Sequence, residues 1–205
     1  KYKYSFKKKE IKKLQNYKFF NLIGMGGSIL GAEAIYDFLS HKIKKNFTFY
    51  NNLQNKNILK SNKKKINLII SKSGNTLETI SNFNLILKYQ KNNKNIIITE
   101  NKKNFLNLLA KKLKVEIFEH KNYIGGRYSV LSEVGMLPAQ LMGLNERKFK
   151  KFNNLINSNL FLNSLINNVG FIYKNISNGK KNSVILNYDE RSENFFKWYQ
   201  QLTAE

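Results

Sequence analysis

The sequence predicts an α/β fold in which a doubly wound parallel sheet of five strands is flanked by helices on both faces. Short runs rich in β-branched and aromatic residues recur along the chain, and between them lie longer runs with an apolar residue every three or four positions. Strands that alternate with helices in this way form right-handed βαβ units. We expect the flavodoxin-like strand order 2-1-3-4-5.

The first 120 residues supply these strands and three of the helices. The strands are predicted at 18–23, 46–50, 65–70, 95–99 and 115–119, and the helices at 28–39, 76–89 and 103–113. The run 1–14 lacks the composition of a transit peptide and the apolar core of a signal peptide. We therefore expect it to form a surface helix coated with lysines.

The pattern changes after residue 119. A helical segment begins at Ser129, and Pro138 is expected to kink or restart it. Apolar spacing predicts connecting helices over 147–175, a new strand at 183–188 and a new helix at 192–204. The chain is accordingly divided into a basic N-terminal helix or arm (1–17), a first domain (18–145), connecting helices (146–181) and the beginning of a second α/β domain (182–205).

The composition narrows the class of protein. A net charge of +23 suggests nucleic-acid binding, but all but three of the 36 basic residues are lysines, and Lys, Asn, Ile, Phe and Tyr are enriched together. AT-rich codon usage explains this composition better than a specific nucleic-acid partner. The chain has no cysteine and two histidines, which argues against disulfides and metal sites. Without an unbroken apolar run of about 20 residues, we expect a soluble, cytoplasmic protein with no membrane contact.

A hydroxyl-rich loop follows the third predicted strand. Residues 71–79, Ser-Lys-Ser-Gly-Asn-Thr-Leu-Glu-Thr, place four hydroxyls, a lysine and a glycine at the start of a helix. The free N–H groups and dipole of a helix N-terminus favour anions, so the loop is a candidate phosphate site. The alternative is an ordinary helix cap formed by Asn75 or Thr76, although a cap needs only one hydroxyl.

Two glycine-rich segments follow the first and fifth strands. Residues 24–31, Gly-Met-Gly-Gly-Ser-Ile-Leu-Gly, would let a ligand approach the backbone, although a tight turn alone would explain the glycines. In the expected strand order, this loop and the loop 71–79 flank the switch point where ligands bind. Arg127 follows Gly125 and Gly126, and its guanidinium could hold an oxyanion or a phosphate or form an interdomain salt bridge.

The remaining candidate functional residues give weaker evidence when each is considered alone. Glu205 ends a predicted helix and could be a general base or an exposed surface carboxylate. His41, at a predicted helix end, and His120, just after the fifth strand, are expected to be surface or capping residues.

Four segments together resemble the phosphoglucose isomerase family, whose members contain sugar isomerase (SIS) domains. They occur in the family's order and approximate spacing, and they are Gly-Met-Gly-Gly-Ser-Ile-Leu-Gly (24–31), Ser-Lys-Ser-Gly-Asn-Thr-Leu-Glu-Thr (71–79), Gly-Gly-Arg-Tyr-Ser-Val-Leu-Ser (125–132) and Gln-Gln-Leu-Thr-Ala-Glu (200–205). The first two segments fit any SIS domain, and the other two restrict the resemblance to the phosphoglucose isomerase family. The resemblance covers residues 19–205.

The resemblance implies interconversion of glucose 6-phosphate and fructose 6-phosphate, a step of glycolysis and gluconeogenesis, without a metal or other cofactor. It implies that Arg127 stabilises a cis-enediolate and that Glu205 carries the proton between C2 and C1. The implied substrate-binding residues are Gly27, Ser28, Ser71, Lys72, Ser73, Thr76 and Gln201, with Lys72 acting through its backbone.

The resemblance also implies a homodimer, because the family's ring-opening histidine comes from a partner subunit. That histidine and a later lysine lie downstream of the family's glutamate and match no residue here, so we expect the segment to bind a sugar phosphate without a complete catalytic set. Two alternatives stay open: a SIS protein that binds or isomerises another sugar phosphate, and a basic RNA-binding protein. A histidine roughly thirty residues beyond Glu205 would favour the isomerase, and strongly salt-dependent binding to single strands would favour the RNA-binding protein.

Overall fold

A computed structural model describes residues 2–53, 63–90 and 93–204 of the chain. Its centre is a five-stranded parallel sheet with the order β2-β1-β3-β4-β5, which confirms the predicted fold class and strand order. The strands are β1 (Phe19–Ile23), β2 (Asn46–Tyr50), β3 (Lys65–Ile70), β4 (Lys94–Thr99) and β5 (Glu116–Glu119).

Eight helices accompany the sheet within the described residues. They are α1 (Lys8–Leu14), α2 (Leu30–Phe38), α3 (Leu77–Tyr89), α4 (Phe105–Leu113), α5 (Glu133–Leu141), α6 (Asn153–Ile156), α7 (Asn159–Ser177) and α8 (Glu193–Ala204). Each predicted strand and helix of the sheet region is present within two residues of its predicted bounds. In the same set of residues, no helix combines the length and the apolarity that a membrane span requires.

Both faces of the sheet are covered, because alternate strand residues enter two separate cores. On β3, Leu68 and Ile70 pack with residues of α1, α2 and α5, whereas Ile69 packs with residues of α3 and α4. All three side chains are fully buried. Strands of a parallel sheet that is covered on both faces are apolar almost throughout, and β3 follows this pattern except at Asn67. The buried Asn67 side chain accepts from Asn21 at 2.8 Å and donates to Asn95 at 2.7 Å.

The segment after β5 differs from the predicted single helix. Residues Gly126–Leu131 form a 3₁₀ helix, and α5 begins only after Ser132, whose hydroxyl accepts a hydrogen bond from the N–H of Val134 at 3.4 Å. Ser132 therefore ends one helix and caps the next. Pro138 lies inside α5.

Residues 2–145 with 189–204 form one compact unit, and residues 146–188 form a second. The second unit contains α6 and α7, in agreement with the helices predicted there. The strand predicted at 183–188 is wrong in this structure: these residues form no regular element, because no neighbouring strand accepts their backbone hydrogen bonds within the part of the chain that is described. Their assignment to a second α/β domain stays a prediction.

Candidate functional site

The ends of β1 and β3 bring two of the candidate loops to the same edge of the sheet. The two strands are direct neighbours in the sheet. On the other side of β1, the N–H of Gly24, the residue after the strand, donates to the carbonyl of Tyr50, the last residue of β2, at 3.1 Å. A Cβ atom on Gly24 would lie 3.2 Å from the carbonyl oxygen of Ile70, the last residue of β3. This edge is the switch point of the sheet, where ligands of open α/β folds bind.

Three hydroxyls of the loop after β3 converge on one another. The Ser71 Oγ lies 2.8 Å from the Thr76 Oγ1, and the Ser73 Oγ lies 3.5 Å from both. Thr76 occupies the N-cap position of α3, but its side chain makes no capping hydrogen bond. The capping alternative therefore does not account for these hydroxyls. Among the described residues, no acceptor is found for the N–H groups of Leu77, Glu78 and Thr79 in the first turn of α3.

The backbone of the same loop adds further donors. Among the described residues, no protein acceptor is found for the N–H groups of Lys72 and Ser73. Gly74 turns the chain with a φ of +70°. Successive N–H groups around such a turn, placed before a helix N-terminus, form a concavity suited to an anion with several oxygens.

The side chain of Lys72 is engaged elsewhere. Its Nζ donates to the carbonyl of Asn122 at 2.9 Å and lies 3.5 Å from the carboxylate of Glu100. A hydrogen bond from Lys102 holds the pKa of Glu100 below its usual value, so this nearly buried carboxylate is charged at neutral pH. With its ammonium held by these partners, Lys72 can contribute its backbone to the loop.

The N-terminus of α4 holds the loop in place. The N–H of Leu106 donates to the carbonyl of Gly74 at 3.1 Å, and the N–H of Phe105 donates to the Oδ1 of Asn75 at 2.9 Å. Asn104 caps α4 by accepting from the Asn107 N–H at 2.8 Å, and it packs directly against Gly74. Asn75 and Asn104 therefore support the loop from the side of α4, while the hydroxyls of Ser71 and Ser73 accept from the N–H groups of Gly74 and Asn75 at 3.1 and 3.2 Å.

This packing predicts that Gly74→Ala weakens the binding of inorganic phosphate to the loop. The new Cβ would stand 2.2 Å from the Asn104 Cγ, in a left-handed conformation that costs a side-chain residue about 1–3 kcal/mol. We expect the dissociation constant for inorganic phosphate to rise at least about tenfold, measured by calorimetry. Gly143→Ala is the matched control, because Gly143 has a φ of +91° and open space around it. Equal phosphate affinity in the two variants would contradict the prediction.

The segment that carries Arg127 lies directly against the loop after β1. A Cβ atom on Gly27 would come within 2.4 Å of the carbonyl carbon of Gly126 and 2.5 Å of the Arg127 nitrogen. The Ser129 hydroxyl donates to the carbonyl of Gly126 at 2.6 Å and lies 3.3 Å from that of Gly27. The glycines are thus needed for the close approach of two backbones, and this approach holds the Arg127 backbone against the loop after β1.

Helix α8 completes this side of the site. The Nε1 of Trp198 donates to the carbonyl of Arg127 at 3.2 Å. A Cβ atom on Gly26 would lie 2.7 Å from the Nε2 of Gln201. Gln201, Arg127 and Gly27 therefore belong to one cluster. Glu205, the predicted proton carrier, lies outside the described residues.

The predicted site residues thus form two groups at the ends of neighbouring strands. Ser28 is buried beside Gly27 at the end of β1, and both stand in the group around Arg127 and Gln201. The members of the group after β3 are Ser71, Lys72, Ser73 and Thr76.

Asn104 and Trp198 were not predicted from the sequence. An asparagine just before the apolar run of α4 is a cap signal that could have pointed to Asn104. Trp198 is the chain's single tryptophan, and nothing in the sequence indicates its bond to the backbone of Arg127.

The prediction for His120 is wrong. This residue is fully buried because its backbone extends the pairing of β4 and β5, with its N–H donating to the carbonyl of Thr99 at 2.8 Å. Burial lowers the pKa of His120, so the imidazole is neutral at pH 7. His41 lies exposed in the 3₁₀ helix Ser40–Lys42, in agreement with its predicted surface position.

A doubly wound sheet with a hydroxyl-lined loop at its switch point defines an α/β fold with a candidate anion site. Solved structures share the fold. A hypothetical protein of Thermus thermophilus superposes with a TM-score of 0.77 at 24% identity, over 96% of this chain and 52% of that one. Tagatose-6-phosphate ketose/aldose isomerase of Escherichia coli superposes with a TM-score of 0.52 at 14% identity, over 72% of this chain and 45% of that one.

The chain belongs to the phosphoglucose isomerase family, whose model matches residues 6–205. Glucose-6-phosphate isomerase of Methanocaldococcus jannaschii is 36% identical over 95% of this chain and 51% of its own length. The enzyme of the same name from Aster yellows witches'-broom phytoplasma is 31% identical over 96% of this chain and 53% of its own length. The chain therefore spans about half the length of these relatives.

Proposed function

We propose that the complete protein interconverts glucose 6-phosphate and fructose 6-phosphate. The observation that supports this most strongly is the convergence of the hydroxyl loop after β3 and the Arg127 segment on one switch point. The first group binds a phosphate and the second provides a cation for an oxyanion, and these are two of the three requirements of a phosphosugar isomerase, the third being a base for the carbon-bound proton. Family membership and the names of the relatives agree with this assignment.

The phosphate fixes the position of the substrate. Its oxygens accept hydrogen bonds from the hydroxyls of Ser71, Ser73 and Thr76, from the backbone of Lys72 and from the first turn of α3. Gly27 and Ser28 line the sugar, and Gln201 holds it from α8. Binding energy from the phosphate thereby orients C1 and C2, which are remote from it.

The reaction moves one proton from C2 to C1. Glu205 removes the proton from C2 of the open-chain aldose, the C2–H electron pair forms the C1–C2 double bond, and the C1–O1 π pair moves to O1 to give a cis-enediolate. Protonated Glu205 then returns the proton to C1, while the hydroxyl proton of O2 passes to O1 and the carbonyl forms at C2. Arg127 stabilises the oxyanion during both steps.

We further propose that residues 182–205 open a second SIS domain of the complete protein, that the protein acts as a homodimer, and that it works in the cytoplasm in glycolysis and gluconeogenesis. A partner subunit would then supply the histidine that opens the sugar ring. The family resemblance supports these proposals.

A pair of threonine variants tests the function on the complete protein. Thr76→Val keeps the side-chain shape and removes a hydroxyl of the phosphate loop, so we expect KM for fructose 6-phosphate to rise about tenfold in a coupled assay. Thr79→Val is the control, because its buried hydroxyl has no hydrogen-bond partner among the described residues. Absence of interconversion in the wild-type protein would overturn the proposal, and equal KM values in the two variants would overturn the assignment of Thr76.

A further inference from the structure

An extended arm at the N-terminus, residues 2–6, contacts the first turn of α5. The Tyr2 hydroxyl donates to one carboxylate oxygen of Glu133, and the Ser5 N–H donates to the other at 2.6 Å. Glu133 is fully buried in that turn, and the amino end of a helix favours a negative charge. The arm therefore satisfies both oxygens of a buried carboxylate that is distant in sequence.

The same arm contacts both ends of the segment that carries Arg127. On the side of β5, the Ser5 hydroxyl donates to the carbonyl of Glu119 at 3.2 Å, and the ring of Phe6 meets that of Phe118 edge-on at 6.0 Å. On the side of α5, the Tyr4 hydroxyl donates to the carbonyl of Leu131 at 3.4 Å. These contacts bracket residues 120–130 and fix the span between the two ends.

The middle of that segment, around Arg127 and Val130, contacts α2 and α8. Val130 packs against Gly31 of α2, where an added Cβ would approach to 2.6 Å, and Trp198 of α8 bonds the carbonyl of Arg127. Contacts with α2 and α8 thus position the middle of the segment, while the arm positions its ends. The two sets of contacts together leave the Arg127 backbone little freedom.

The chemistry of the arm suits a permanent clamp. Burial and the bond to Glu133 raise the pKa of Tyr2, so its hydroxyl remains a donor throughout the neutral range. Residues 2–5 precede the part of the chain that the family model matches.

We propose that Tyr2, through Glu133, is a positioning residue for Arg127, so that the arm sets the cation in register with the developing enediolate. This inference rests on the proposed function. Displacing a catalytic group by about 1 Å can cost about 10²-fold in rate, so a clamp on the ends of the segment bears directly on turnover. The phosphate loop after β3 meets the bracketed segment through the hydrogen bond from the Lys72 Nζ to the Asn122 carbonyl, whereas its hydroxyls make their hydrogen bonds within the loop, so we expect phosphate affinity to stay unchanged.

The test compares Tyr2→Phe with Tyr17→Phe in the complete protein. Tyr17 packs against the core outside the arm and serves as the control. Two ligands are titrated: inorganic phosphate, which probes the loop after β3, and a phosphorylated sugar hydroxamate, which mimics the cis-enediolate. We expect Tyr2→Phe to weaken hydroxamate binding and kcat by about 10- to 100-fold while the phosphate affinity and KM stay unchanged. Glu133→Gln is a second variant that removes the carboxylate and keeps the side-chain volume. It should likewise weaken hydroxamate binding and lower kcat while the phosphate affinity and KM stay unchanged.

Each outcome decides the proposal. Equal hydroxamate affinity in Tyr2→Phe and wild type would overturn it, and so would a parallel loss of phosphate and hydroxamate affinity, which a purely structural arm would cause. If the wild type binds neither ligand, the proposed function fails. The rate of amide hydrogen exchange of residues 120–131 then tests independently whether the arm restrains this segment. Faster exchange there in Tyr2→Phe but not in Tyr17→Phe supports the clamp, and equal exchange overturns it.

Discussion

Replacing Glu205 with Gln in the complete protein should lower kcat by about 10²–10⁴-fold and leave KM within about twofold of wild type. The carbon-bound proton beside the carbonyl is a weak acid, and a neutral amide cannot accept it. In the proposed function, substrate affinity depends on the phosphate loop and Gln201, which the substitution leaves intact. The measurement is steady-state kinetics combined with exchange of the C2 proton of glucose 6-phosphate in deuterated water.

Glu193→Gln is the matched control for this variant. Glu193 is an exposed residue of α8 that pairs with Lys197 at 2.7 Å on the helix surface. A surface pair of this kind is worth less than about 1 kcal/mol, so activity should be unchanged. Proton exchange in Glu205→Gln at the rate of the control would rule out Glu205 as the proton carrier.

Replacing Gly27 with Ala should lower kcat by about 100-fold through geometry alone. The added Cβ would stand 2.4 Å from the carbonyl carbon and oxygen of Gly126, whereas ordinary contact begins at 3.4 Å. These neighbours are backbone atoms, so the loop after β1 and the Arg127 segment must separate by roughly 1 Å. That displacement moves Arg127 away from the enediolate and leaves the phosphate loop in place.

Gly170→Ala adds the same methyl group at a position where, apart from the backbone of its own helix, no atom of the described residues lies within 4 Å. Gly170 lies inside α7, so this control should be as stable as wild type or more stable by up to about 1 kcal/mol. Kinetics and thermal unfolding of both variants separate lost activity from lost folding. Full activity in Gly27→Ala would mean that the close approach of the two segments has no catalytic role.

The sequence was sufficient for the fold because each part of the sheet carries its own local signal. β3 is an apolar run bounded by lysines and the hydroxyl loop, and α3 follows it at once. The loops after β1 and β3 could also be placed together from the sequence, since the parallel order brings neighbouring strand ends to one edge.

Contacts between distant segments could not be predicted. Glu133 and Tyr2 are bonded across 131 residues, and no periodicity connects an N-terminal tyrosine with the first turn of α5. His120 was misplaced for a related reason. Its burial depends on how the end of β5 pairs with β4, and the sequence near a strand end does not define where pairing stops.

Crystals of the complete protein soaked with glucose 6-phosphate would show whether the loop after β3 and the Arg127 segment bind one sugar phosphate between them. We expect phosphate oxygens at about 2.7–3.1 Å from the hydroxyls of Ser71, Ser73 and Thr76, with the sugar extending towards Gly27 and Arg127. A phosphate bound elsewhere, or a sugar directed away from Arg127, would contradict the shared site.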